Sequence, residues 1–299
     1  MTTLAAARAV PLAHLRILAL TALAPASWGT TYVVTTTMLP PDRPLLAATV
    51  RALPAGLILL AVTRTLPNGA WWWKSAVLGL LNFGAFFPLL FFAAYRLPGG
   101  VAATIGSVQP LLVAGFSVLV LRSRPGAKVL VSALVGTGGV ALLTLTAQAR
   151  LNPLGLAAML VATSFMGLAI VLTKHWGRPG APLLAVTGWQ LAIGGLAILP
   201  VTLATEGVPD GISGENALGF LYLGVVGTAL AYALWFRGIE HLPPTSVSLL
   251  GLTNPLVATL AGLLVLGQTL TRWQALGLAV ALGALIAGQI RRTQEGAER

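Results

Sequence analysis

Apolar runs of about twenty residues follow one another along the whole chain, each closed by a charge, a proline or a glycine cluster. They predict ten helices, at roughly 15–36, 44–62, 75–95, 99–121, 127–146, 153–173, 182–203, 216–236, 244–266 and 272–290. A helix rising about 1.5 Å per residue needs some 20 apolar residues to cross a bilayer, and each run is close to that length. The polar intervals leave no room for a sizeable soluble domain. The first run, with Arg8 and Arg16 ahead of it and Ala22-Leu23-Ala24 inside it, has the outline of a cleavable export signal. Its apolar stretch continues past Ala24 through Trp28 and Val34, so it is read as helix 1.

The pattern repeats. Residues 97–111 lie over 242–256 at an ungapped offset of 145, matching Leu97-Pro98 with Leu242-Pro243 and Gln109-Pro110-Leu111 with Asn254-Pro255-Leu256. The same offset pairs Gly79 with Gly224 and Gly138 with Gly283. The chain reads as two five-helix units, residues 1–150 and 151–299. Because five is odd, the second unit enters the membrane in the opposite sense to the first. The expected fold class is therefore an all-α membrane protein with ten transmembrane helices in a five-plus-five inverted repeat. In that architecture the substrate site lies near the midplane, where the repeats meet.

Composition agrees, and charge sets the orientation. The chain of 299 residues is 57% hydrophobic and 8% charged and contains no cysteine, whereas a soluble domain carries about a quarter charged residues. Without cysteine there are no disulfides, thiolate metal sites or cysteine nucleophiles. A net charge of +11 could signal nucleic acid, but the basic residues are scattered over short loops instead of forming one patch. Arg8, Arg16, Arg64, Lys74, Arg122, Arg124, Lys128, Lys174, Arg178, Arg237, Arg291, Arg292 and Arg299 fall on the face of the N-terminus; only Arg43, Arg96, Arg150 and Arg272 fall on the other. The positive-inside rule then makes both termini cytoplasmic, in a multi-pass protein of a bacterial-type inner membrane.

Several motifs carry a family likeness: Ser27-Trp28-Gly29 in helix 1, Leu-Pro before helices 4 and 9, mid-helix Gln109-Pro110 and Asn254-Pro255, and Leu266-Gly267-Gln268 before helix 10. With the ten-helix count, they make the chain resemble the EamA-type branch of the drug/metabolite transporter superfamily, and within it the YddG exporters of aromatic amino acids. The family often has an acidic residue where this chain has Gln268. The resemblance implies alternating-access export of amino acids, aromatic and other neutral ones, with a broad drug or metabolite exporter as the alternative.

Candidate site residues follow from depth. Pro110 and Pro255 fall at the centres of helices 4 and 9, where proline removes a donor and clashes with the carbonyl four residues earlier. Those carbonyls belong to Gly106 and Gly251, and Gly84 with Pro88 repeats the device in helix 3. These six are helix-break or gating candidates. Asn82, Gln109, Asn254, Ser164 and Thr228 are polar at membrane depth and need partners or a wet cavity. Gln190 is also deep, with packing and cavity equally open to it. Trp28, Tyr32, Phe83 and Phe87 could form a face for a planar ring, against ordinary packing. Trp71, Trp72, Trp73, Trp176, Trp235 and Trp273 lie near helix ends and read as interfacial anchors. Ala275, Ala279, Gly283 and Ala287 form a small-residue ridge that should seat helix 10 on helix 5 or on another protomer.

Arg51, about six residues inside helix 2, is the sole buried-looking charge, the others in the runs lying at their ends. Its stem can carry the guanidinium back to the outer interface; alternatively it receives a substrate carboxylate near the outer gate. No carboxylate or imidazole falls at membrane depth. A proton-coupled antiporter would ordinarily need one, so uncoupled, facilitated efflux is expected. A membrane-embedded enzyme would need a nucleophile with its base, or a metal constellation, and none is legible. A helix-dimerising scaffold gains nothing from mid-helix breaks. The expected partners are an amino acid substrate and the lipid bilayer, with no nucleic acid and no cofactor. The expected assembly is a monomer or weak homodimer.

Overall fold

The computed structural model describes residues 12–97, 99–144, 152–209, 211–266 and 271–290. Pro98, Gly267-Gln268, both tails and the side chain of Tyr32 lie outside what is described. Among the described residues all regular structure is helical. The elements are α1 (Leu12–Gly29), α2 (Thr31–Met38), α3 (Pro44–Thr63), α4 (Trp71–Gly79), α5 (Phe86–Ala94), α6 (Gly99–Gly106), α7 (Gln109–Leu121) and α8 (Ala127–Thr144). They continue as α9 (Pro153–Trp176), α10 (Leu183–Thr205), α11 (Gly214–Gly224), α12 (Ala231–His241), α13 (Pro244–Leu250), α14 (Thr253–Leu266) and α15 (Arg272–Ile290). Among the described residues seven helical stretches are long and apolar enough to cross a membrane: His14–Met38, Pro44–Thr63, Trp71–Ala94, Thr104–Leu121, Pro153–Trp176, Leu183–Thr205 and Gly214–His241. The remaining predicted runs appear as α8, as the interrupted pair α13 and α14, and as α15.

The interruptions have local causes. Between α6 and α7, and again between α13 and α14, the ladder tightens to three-residue turns. Ser107 N–H donates to Thr104 O and Leu252 N–H to Leu249 O, positions separated by the same 145. Pro110 and Pro255, each just inside the following half-helix, have no N–H to restore the longer bond. The donor that Pro255 lacks does not leave the Gly251 carbonyl unpaired, because Asn254 N–H donates to it at 3.0 Å. Helix 1, read from sequence as continuous, is broken at Thr30. Pro25 lies inside α1, and the Thr30 hydroxyl takes the Ser27 carbonyl at 2.7 Å, a side-chain competitor for the backbone.

Two further irregularities are π turns, Leu80–Gly84 before α5 and Val225–Leu230 before α12. In the first, Ala85 N–H reaches back five residues to Leu80 O, and the Gly84 with Pro88 device of the sequence ends this widened turn. In the second, the Thr228 hydroxyl occupies Leu223 O at 2.7 Å. The two π turns begin 145 residues apart.

Packing is closest between corresponding helices of the two halves. Helices α3 and α10 cross where Gly56 has no room for a Cβ against Ala192, and Gly195 none against Leu53. Glu206, past the end of α10, accepts both Leu45 N–H and Leu46 N–H at 2.8 Å, so a carboxylate caps the N-terminus of α3. Helix α15 packs on α8, one of the two partners expected for it, but through a different ridge. Gly277, Ala281, Ala284 and Gly288 are buried, whereas Ala275, Ala279, Gly283 and Ala287 are exposed.

Candidate functional site

Three helix breaks meet around one cavity of about 80 Å³. Helix 1 contributes Trp28 and Thr31 from either side of its break, α3 contributes Arg51, and α5 contributes Phe86 and Leu90. The break after α6 supplies Gly106, Ser107 and Gln109, and the break after α13 supplies Gly251, Asn254 and Pro255. Met159, Thr163 and Met166 from α9 and Tyr232 from α12 complete the wall. The breaks can approach because Gly29 leaves no room for a Cβ against the backbone of Asn254. Gln109 reaches across to the second break, with its Oε1 3.5 Å from where a Gly251 Cβ would stand.

Arg51 is the decisive side chain, and the expectation that it snorkels to the interface is corrected. It is 1% exposed, the sole charged residue that is buried among the described residues. Its Nε donates to Thr228 Oγ1 at 2.8 Å and its Nη2 to Gly227 O at 2.9 Å, both in the second π turn. Its Cζ lies 4.6 Å from the centroid of the Phe87 ring. Two hydrogen bonds and an aromatic face, inside a low-dielectric interior, hold the guanidinium more firmly than a partly wet interface could. The π turn makes this possible, since a widened turn exposes carbonyls that a regular helix would occupy. The same Gly227 O also accepts Trp28 Nε1 at 2.9 Å.

The cavity also presents oxygens in want of donors. Thr31 Oγ1 and Asn254 Oδ1 are buried and have no hydrogen-bond partner. Buried oxygens of this kind carry an unmet desolvation cost until a donor arrives. One wall therefore offers a permanent cation and another offers acceptors, with Trp28, Phe86 and Tyr232 between them.

Of the residues singled out from sequence, Trp28, Arg51, Gln109, Asn254, Gly106, Gly251 and Pro255 line this cavity. Others do not. Asn82 donates to Gln190 Oε1 at 2.9 Å, and Phe83 and Phe87 are fully buried in a ring cluster with Tyr232. Thr228 lies beneath Arg51, and Ser164 bonds its own helix at Leu160 O. Gly84, Pro88 and Pro110 shape helices without lining the space. Trp235, read as an interfacial anchor, is 1% exposed and packs edge-on against Trp28 at 5.1 Å. Thr31, Phe86, Leu90, Ser107, Met159, Thr163, Met166 and Tyr232 were not named for the site. Tyr232 stands 145 residues after Phe87, so the repeat itself was the signal that could have found it. Among the described residues no group of three or more His, Cys, Asp or Glu could hold a metal ion.

Comparison with known proteins gives the same architecture a family. The EamA-like transporter family model matches twice, over residues 15–145 and 153–287. The chain is 52% identical over 264 residues to Protein PecM of Dickeya dadantii (strain 3937), covering 88% of this chain and 89% of that one. It is 28% identical over 263 residues to the uncharacterized inner membrane transporter YedA of Escherichia coli (strain K12), covering 85% and 84%. A solved crystal structure superposes with a TM-score of 0.77 at 19% identity, over 93% of this chain and 98% of the other, a likeness of fold. Matched by one family model in each half, and more than half identical to a relative across most of both chains, the protein belongs to the EamA-like transporter family and is a multi-pass transporter of the inner membrane.

Proposed function

We propose that the protein exports amino acids, aromatic and other neutral ones, by alternating access and without ion coupling. The observation that carries this reading is the pairing, in one cavity, of the Arg51 guanidinium with the unsatisfied oxygens of Thr31 and Asn254. A guanidinium receives a carboxylate through charge-assisted bonds, and carbonyl and hydroxyl oxygens receive an ammonium. A zwitterion satisfies both at once. The rings of Trp28, Phe86 and Tyr232 give an aromatic side chain offset or edge-on contact.

The frame is ten transmembrane helices in two inverted units, residues 1–150 and 151–299, with both termini cytoplasmic and the chain acting as a monomer or weak homodimer. Apart from Arg51, the lining residues are uncharged, and none is a carboxylate or an imidazole. The cycle accordingly moves a net-neutral solute down its own gradient. A broader exporter of drugs or metabolites is the second reading, favoured by Met159 and Met166, whose pliable side chains let a wall adapt to different shapes.

The test is counterflow in liposomes with labelled phenylalanine, challenged by phenethylamine, which lacks the carboxylate, and by phenylpropionate, which lacks the ammonium. Phenylalanine should exchange, and each analogue should compete at least about tenfold more weakly, the worth of one lost charge-assisted contact. An imposed pH gradient should not drive accumulation. Equal competition by phenethylamine would leave the carboxylate reading without support.

A further inference from the structure

A second cavity, of about 140 Å³, lies beside Gln190, with Trp71, Lys174, Arg178 and Phe236 among its walls. Its position follows from the repeat. Helices α3 and α10 correspond at an offset of 139, since Gly56 sits against Ala192 while Gly195 sits against Leu53. That offset carries Arg51 onto Gln190. The two side chains also do corresponding things: Arg51 bonds the π turn at Gly227 and Thr228, and Gln190 bonds Asn82 in the other π turn. The first cavity is thus lined by one member of this pair and the second cavity by the other.

Gln190 does not use all its capacity. Its Oε1 accepts from Asn82, but its Nε2 is buried with no hydrogen-bond partner in a residue that is 1% exposed. A buried amide donor left over at a cavity wall is a donor in search of an acceptor. The mouth of this cavity carries two cations, Lys174 and Arg178, against one carboxylate, Glu240. Lys174 Nζ donates to Glu240 O at 3.1 Å at the end of α12, and Arg178 pairs with Glu240 at 3.3 Å. Trp71 and Phe236 supply ring surfaces.

We propose that the second cavity is another carboxylate station for the same substrate, at the other end of the transport path, with Gln190 Nε2 as its donor. The proposal rests on the amino acid reading of the first cavity. In an inverted repeat the path from each face is lined by corresponding residues of the two halves. The substrate therefore leaves one π-turn clamp and meets its counterpart. A neutral amide binds a carboxylate less strongly than a guanidinium does, so half-saturation at the Gln190 face lies at the higher concentration.

The experiment uses the full chain in liposomes in one orientation, with phenylalanine flux measured separately from each face. Gln190→Glu keeps an acceptor for Asn82 but removes the Nε2 donor and adds a repelling charge. It should raise half-saturation at the Gln190 face by about tenfold and leave it unchanged at the other face, where only the maximal rate falls. Asn82→Leu keeps Nε2 and should alter half-saturation less than about twofold. Lys174→Glu, on the exposed rim, should raise half-saturation at the same face and reads the proposal even if the buried variant does not fold. An unchanged value in Gln190→Glu or Lys174→Glu, an equal rise at both faces, or an Asn82→Leu effect as large as that of Gln190→Glu overturns the proposal. Phenethylamine separates the two levels: if it competes as well as phenylalanine, the reading of the first cavity fails too, and if it does not, the failure belongs to the second station alone.

Discussion

The two acceptors of Arg51 Nε and Nη2 keep other bonds if the side chain is replaced, which makes it a good place to test the chemistry. Gly227 O would keep Trp28 Nε1, and Thr228 Oγ1 would keep donating to Leu223 O. Arg51→Met should fold and melt within a few degrees of the parent in detergent. Its half-saturation for phenylalanine should rise about ten- to a hundredfold, the worth of a ~1.5–3 kcal/mol charged hydrogen bond. Arg51→Lys, which keeps the charge but loses the fork, should fall between. Unaltered half-saturation in Arg51→Met would make the arginine a packing residue. Sequence placed Arg51 at depth but could not say where its head lay, because its partners are some 176 residues away and on a π turn. Gln109 and Asn254 were legible because the repeat marked both. Phe83 and Phe87 were misread because depth along a helix does not say which face looks at a cavity.

At the level of elements, the pairing of α15 with α8 was legible and its face was not. Small residues occur on both sides of α15, and only the partner decides which side is used. A Cβ on Gly277 would stand 2.5 Å from Leu143 N and 2.7 Å from Gly139 O, backbone atoms that cannot yield without moving the helix. Gly277→Ala should therefore destabilise by about 1–3 kcal/mol, the usual range for overpacking. Ala279→Leu, on the exposed side, should stay within about 0.5 kcal/mol. Thermal unfolding of the two variants in one detergent checks both numbers, and a reversed order would restore the ridge read from sequence. The break in helix 1 escaped the sequence reading for a related reason. Pro25 was visible, but the competition of the Thr30 hydroxyl for a carbonyl depends on its rotamer.

For the whole molecule, orientation is the property most exposed to a direct test. Reporter fusions in the loop at Arg124 and in the loop at Gly180 should report the cytoplasm, and one at Gly207 should report the outside, as the lopsided distribution of basic residues requires. The opposite result at Gly207 would sink the inverted arrangement and with it the assignment of faces. The all-helical class and the internal repeat could be read from the sequence because hydrocarbon imposes length and duplication imposes spacing. The meeting of three breaks around one cavity could not, because it is made by contacts between segments far apart in the chain.

The spacing of the two π turns also dates them. A widened turn arises when one residue is inserted into an existing helix, and two independent insertions have no reason to fall 145 residues apart, in step with the rest of the repeat. The insertion was therefore already present in a half-length ancestor before its gene was copied and fused. That ancestor already had the turn that now meets Arg51 of one half and Gln190 of the other. Divergence then came afterwards, in the side chain that meets each turn, an arginine on one side and a glutamine on the other.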